Sequence, residues 1–271
     1  MIAMICFQLG ATLAKSLFPL VGASGTAALR IAIASVLLLA VWRPWHIRFT
    51  AAQLRTVIIY GVAMGWMNYF FYSALSYIPL GITMALEFTG PLSVAVLASR
   101  RPVDFLWILL AALGLVALLP LGLGGQPLSV VGVAYALGAG VCWALYIVFG
   151  RRAGVAHGGQ ITALGTAIGA IMIVPIGYAH SGAQLFSPSI MPVALGVAIL
   201  STALPYSLEM YAMPRLPTRV LGVLMSLNPA LGALAGLIFL GEMLDLVQWA
   251  AIASIVAASA GSAATRDFAT R

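Results

Sequence analysis

Charge is what this sequence has least of. Only 7% of its 271 residues are Asp, Glu, Lys or Arg, whereas a soluble domain carries about 25%. So few charges cannot cover a folded surface in water, which excludes a conventional soluble domain and leaves lipid as the solvent for most of the surface. Cysteine is nearly absent too. Cys6 and Cys142 both fall inside apolar runs, so there is no disulfide framework and no CxxC pair. Catalytic signatures are also missing. His46, His157 and His180 fall in separate gaps, and no HExxH, P-loop or GxSxG in a strand-to-helix setting occurs. ATP-driven transport would need a partner subunit, and no cofactor is expected.

What is present is apolar residues, 63% of the chain, with 28 glycines among the rest. Small residues let membrane helices approach closely. Ten long apolar segments are read, at about 1–18, 24–42, 56–75, 79–99, 103–121, 128–150, 160–179, 190–212, 217–239 and 246–264. A span needs about 20 apolar residues, so ten spans use nearly the whole chain. Barrel strands would be short and alternating, so helices are expected. The first segment has no basic start and carries Gln8 and Lys15, so it reads as a span and not as a signal peptide.

The net charge of +7 does not point to nucleic acid, because the basic residues sit in short gaps between apolar runs. Eleven of the 13 fall in alternate gaps: Arg43, Arg48 and Arg55; Arg100 and Arg101; Arg151 and Arg152; Arg215 and Arg219; Arg266 and Arg271. The positive-inside rule then places both termini in the cytoplasm of a bacterial inner membrane. The chain also looks doubled. Pro79 and Pro91 recur as Pro217 and Pro229 at an offset of 138, where Leu86 meets Leu224 and Asp104 meets Glu242. This suggests an all-α membrane protein of ten helices in two inverted five-helix repeats, 1–122 and 128–271. In such folds the substrate site lies near the midplane between the halves.

Glu87 is the sharpest single feature. It falls near the middle of the fourth segment, where a charge is costly and a functional role is the default. Thr83, Glu87 and Pro91 share one helix face, and Pro91 frees the carbonyl of Glu87. Glu87 reads as a substrate or proton site; the alternative is a protonated carboxyl bridging two helices. Asn68, Tyr69 and Tyr72 in the third segment line either a wet cavity or an interhelical contact. Tyr146 and Trp143 in the sixth either line a cavity or belong to the aromatic belt at the span's end, though both lie deeper than a belt usually does. Ser226 and Asn228 precede Pro229, which marks either a discontinuous transport helix or a packing kink. Glu209 reads as an ion pair with Arg215. Lys15 and Arg30, placed near outer span ends, either snorkel or attract a carboxylate. Glu242 and Asp245 read as solvated loop acids.

Several strings carry a family resemblance: Ala14-Lys15-Ser16-Leu17-Phe18-Pro19-Leu20-Val21-Gly22, Ala85-Leu86-Glu87-Phe88-Thr89-Gly90-Pro91-Leu92, Arg100-Arg101-Pro102-Val103-Asp104-Phe105, Ser201-Thr202-Ala203-Leu204-Pro205-Tyr206-Ser207-Leu208-Glu209, Arg215-Leu216-Pro217-Thr218-Arg219 and Phe239-Leu240-Gly241-Glu242. On these the chain resembles the EamA family of the drug/metabolite transporter superfamily along nearly its whole length. Members usually start further upstream, so the first helix looks shortened. They also tend to carry a Glu before the ninth-segment proline, where this chain has Asn228. The resemblance implies two inverted five-helix halves and proton-driven export of small amino acids such as threonine and homoserine.

The expected machine is a secondary exporter with Glu87 as the proton- or amine-binding group. Asn68, Tyr69, Tyr72, Tyr146, Ser226 and Asn228 are the other substrate-binding candidates. Its partners are a small amino-acid substrate and the lipid bilayer, and the sequence assigns no oligomeric state. Rival readings are export of nucleobases, other amino acids or xenobiotics, an intramembrane enzyme, and a scaffold or sensor.

Overall fold

A computed structural model describes residues 2–46, 49–97, 102–118, 128–153, 158–212 and 224–265. Arg48 and the arginines of the 100–101, 215–219 and 266–271 gaps, with Pro217, lie outside the described residues. All regular structure among the described residues is helical: α1 Ile2–Lys15, α2 Phe18–Trp42, α3 Ala51–Leu75, α4 Leu80–Glu87, α5 Thr89–Leu97, α6 Pro102–Leu118, α7 Val130–Ala153, α8 Gly158–Ser181, α9 Met191–Ala198, α10 Leu204–Ala212, α11 Asn228–Leu240 and α12 Leu246–Thr265. Four apolar helical stretches among them are long enough to cross a membrane by length and composition: Phe18–Trp42, Val130–Arg152, Gly158–Phe186 and Met191–Glu209. Shorter apolar helices include Ile2–Lys15, Leu80–Val94 and Leu224–Leu240.

The surface is apolar where a soluble fold would be polar. Val36, Val141, Ile171 and Ile238 expose between 63% and 74% of their area. In water such a belt would drive aggregation; in hydrocarbon it is the expected exterior.

Local breaks in the helices set the geometry. Gly22 adopts φ +65° and ψ 178°, which splits α2 into a short turn, Phe18–Val21, and a long helix from Ala23. A side chain would be strained at that φ. The sequence reading starts the second segment at 24, two residues beyond this kink. Segment four is broken at Phe88, between α4 and α5, three residues before Pro91. Segment nine turns at Leu227, between the helical residues 224–226 and α11, beside Pro229. Segment eight is continuous but widens into a π-helical turn, Ile199–Ala203, between α9 and α10. A π-turn inside an α-helix often marks a functional position. At α3, Thr50 and Gln53 close a reciprocal capping box.

Small residues let these helices meet closely. The Cβ of an alanine at Gly81 would lie 2.5 Å from Ala233, and one at Gly65 would lie 2.9 Å from the Cα of Gly169. The tightest approach is at the break of segment four. A Cβ at Gly90 would collide with the carbonyl oxygen of Gly140, and one at Gly140 would lie 2.9 Å from that of Glu87. The carbonyl freed by Pro91 therefore rests against α7 at a residue without a side chain.

Candidate functional site

Arg30 lies eight residues beyond the kink at Gly22, about 12 Å into the helix at 1.5 Å per residue. It is 2% exposed and is the largest fully buried side chain among the described residues. It is therefore neither near a span end nor snorkelling, contrary to the sequence reading. Insertion scales put a mid-span arginine at about 2.5–3.5 kcal/mol, so its contacts decide whether it is tolerated. Its Nε donates to the Thr202 hydroxyl at 2.7 Å and Nη2 donates to the Ser201 carbonyl at 2.7 Å. The guanidinium carbon lies 5.2 Å from the Phe7 ring centre and 5.1 Å from that of Tyr72, within cation–π range.

The Ser201 carbonyl is available for a reason written in the chain. Four residues later stands Pro205, which has no N–H to return. The π-turn displaces the backbone there, and Arg30 supplies the missing donor. Gly10 of α1 packs directly on Ser201, with a Cβ at Gly10 lying 2.6 Å from it. Arg30, α1 and the π-turn thus form one unit.

Glu87 occupies the last position of α4 and is 4% exposed. Its carboxylate takes no hydrogen bond from the described residues. It feels the charge of Arg30, yet no ion pair joins them. Around these two lies a ring of polar groups. Tyr206 of α10 packs with Tyr60 and Tyr146 and lies near Arg30, Glu209 and Glu87. Tyr60 of α3 stacks on Tyr146 of α7 at 4.8 Å between ring centres. Cys142 lies within the field of Glu87. The group therefore runs from Arg30 and Glu87 toward Glu209, near the end of segment eight.

Another end of the bundle is tied shut. The Glu242 carboxylate accepts from the Lys15 ammonium at the end of α1. Its other oxygen accepts the backbone N–H of Leu80 at 2.7 Å, at the start of α4. One acid thus joins α1, α4 and the segment after α11. Neither Lys15 nor Glu242 is a solvated loop charge, because their side chains are only 22% and 13% exposed.

The other sequence candidates fall in varied places. Tyr72 is fully buried against Arg30, and its hydroxyl has no partner among the described residues. Asn68 donates to the carbonyl of Met64 in its own helix at 2.8 Å. Tyr69 packs on Trp66 and Phe70, while Trp143 packs edge-on against Phe88 at the segment-four break. Ser226 is buried. The Asn228 carbonyl accepts from Gln8 at 3.2 Å. Arg215, the expected partner of Glu209, lies outside the described residues. The sequence reading did not single out Tyr60, Tyr206 or Thr202. The i−4 rule that drew attention to Glu87 before Pro91, applied at Pro205, would have found Ser201, next to Thr202.

Broken apolar helices that bury an arginine and a carboxyl near their breaks fit a membrane-embedded transporter. The chain belongs to the EamA-like transporter family, whose model matches residues 130–263. It is 55% identical over 265 residues to the threonine/homoserine exporter RhtA of Salmonella typhimurium, covering 98% of this chain and 90% of the relative. The threonine/homoserine exporter RhtA of Escherichia coli K12 is 54% identical over the same coverage. A Bacillus subtilis protein described as an uncharacterized transporter, YwfM, is 29% identical over 81% of this chain and 76% of its own. One solved crystal structure shares the fold at TM-score 0.61 and 23% identity, covering 99% of this chain and 96% of that one.

Proposed function

We propose that this chain is a secondary exporter of small hydrophilic amino acids, threonine and homoserine foremost, in a bacterial inner membrane. Identity of 55% to a threonine/homoserine exporter along 98% of the chain carries this reading. In it the ten apolar segments are ten spans, with residues 1–122 and 128–271 as inverted halves. The break at Phe88 beside Pro91 and the turn at Leu227 beside Pro229 support that equivalence. Broken helices at the interface of opposed halves are where transporters bind substrate.

Glu87 is the proton- or ammonium-binding group. Tyr72 packs against Arg30, and Tyr146, Asn68, Tyr69, Ser226 and Asn228 complete the candidate lining. With both termini cytoplasmic, the Lys15–Glu242 end is the outer end. The conformer is then closed to the outside, and its polar ring leads inward. Alternating access requires that tie to open.

Export is tested in cells lacking their own threonine efflux and loaded with threonine- or homoserine-containing peptides. Overproduction should raise the tolerated dose and the amino acid recovered in the medium. Equal efflux with and without the protein would reject this cargo, whereas efflux of a nucleobase or drug alone would reassign it. In inverted vesicles with an imposed pH gradient, Glu87→Gln should abolish gradient-driven threonine uptake. Undiminished uptake by that variant would remove Glu87 from proton coupling.

A further inference from the structure

A buried guanidinium and a buried carboxyl lie within each other's field and do not touch. Neither satisfies the other when the site is empty. A buried arginine and a buried glutamate ordinarily relieve each other by direct pairing. Here Arg30 cannot swing toward Glu87. Thr202 and Ser201 hold its Nε and Nη2, and the Phe7 and Tyr72 rings confine its guanidinium. Those two bonds use two of the five N–H donors of an arginine, so three remain for something else. Glu87 is fixed at the helix end that rests on Gly140, and its acceptors are free among the described residues.

We infer that Arg30 and Glu87 are the two ends of a cradle for the zwitterionic head of an α-amino acid, Arg30 taking its carboxylate and Glu87 its ammonium. The inference rests on the transport reading and narrows its substrate class. Molecules with one of the two charges leave one end of the cradle without its partner, and the lost bonds reject them. Guanidinium suits the carboxylate end, because its planar fork matches a carboxylate with paired bonds. Tyr206, Tyr60 and Tyr146 belong to the same polar group, and their hydroxyls can meet a substrate hydroxyl. Arg30 is therefore a specificity-determining residue, with the π-turn at Ser201 and Thr202 as its support.

The test uses the purified full chain in proteoliposomes and counterflow of labelled threonine. Competitors are threonine methyl ester, which lacks the carboxylate charge, and 2,3-dihydroxybutyrate, which lacks the ammonium. In the unaltered protein both should fail to compete while unlabelled threonine competes fully. Arg30→Gln should weaken threonine competition about tenfold or more, the effect of losing one charge-assisted bond. Its preference for threonine over the ester should also collapse. Arg30→Lys should keep that preference, because charge persists. Glu87→Gln should instead collapse the preference over dihydroxybutyrate. An ester that competes as well as threonine in the unaltered protein would overturn the cradle while leaving export intact. So would an Arg30→Gln protein that still excludes the ester. If Arg30→Gln fails to fold, the competitor panel on the unaltered protein decides alone. Absence of any threonine counterflow in the unaltered protein would overturn the transport reading itself.

Discussion

Arg30 is tolerated in the interior because Ser201 and Thr202, adjacent to each other in sequence, were left with spare acceptors. Pro205 withholds an N–H from Ser201, and Thr202 turns its hydroxyl toward the guanidinium rather than capping its own helix. Thr202→Val keeps the shape of the side chain and removes the acceptor. It leaves one N–H of a buried guanidinium unpaired, a loss of about 1–3 kcal/mol. Thr202→Ser keeps the hydroxyl and loses one methyl, about 0.8 kcal/mol. Thermal unfolding in detergent should therefore rank the unaltered protein above Thr202→Ser, and Thr202→Val lowest. A Thr202→Val protein as stable as Thr202→Ser would show that the Thr202 bond contributes nothing. The sequence displayed Pro205 plainly, but a lone arginine in an apolar run reads first as a snorkelling side chain. Its partners are 171 and 172 residues away, a distance that helical periodicity cannot bridge.

At the level of elements, the broken segment four is the piece most exposed to substitution. Gly90 and Gly140 bring α5 and α7 together at backbone distance, and the obstacle to a larger residue is a carbonyl, which cannot rotate aside. Gly90→Ala must push α5 away from α7, so it should destabilise by about 3 kcal/mol, the upper end of overpacking effects. The displaced break carries Glu87 with it, so threonine transport should fall further than stability does. Detergent melting and counterflow on the same preparation check both. Transport equal to the unaltered protein would mean that the Glu87 position does not depend on this contact. The helices themselves were legible from long apolar runs, and the breaks from Pro91 and Pro229. The tie at Glu242 was not. A loop acid beside a helix end looks solvated until folding brings Lys15 and the N–H of Leu80 to it, 227 and 162 residues away. Asn68 shows the reverse: its polar character was legible, while its hydrogen bond back to Met64 depends on a rotamer that sequence does not specify.

At the scale of the whole molecule, orientation decides which end of the polar ring faces the cytoplasm. Positive charge in short loops is retained on the cytoplasmic side. Arg43 and Arg55 flank the α2–α3 connection, and Arg151 and Arg152 close α7. Glu209 lies toward that same face if the segments alternate. Lys15 does not contradict the rule, because it is neutralised by Glu242 and partly buried. Lys15→Gln should therefore leave topology unchanged, whereas Arg151→Glu with Arg152→Glu should disturb it. The measurement is a C-terminal fusion series in cells. A fluorescent protein that matures only in the cytoplasm should glow on the unaltered chain and on Lys15→Gln. Alkaline phosphatase at the same position should be inactive. The connection between α3 and α4, Ser76 to Pro79, carries no Lys or Arg and is the informative internal site. Phosphatase inserted there should be active. Activity at the C-terminus instead would invert the molecule. The Glu242 tie would then become a cytoplasmic closure, and the ring leading from Arg30 to Glu209 would open outward.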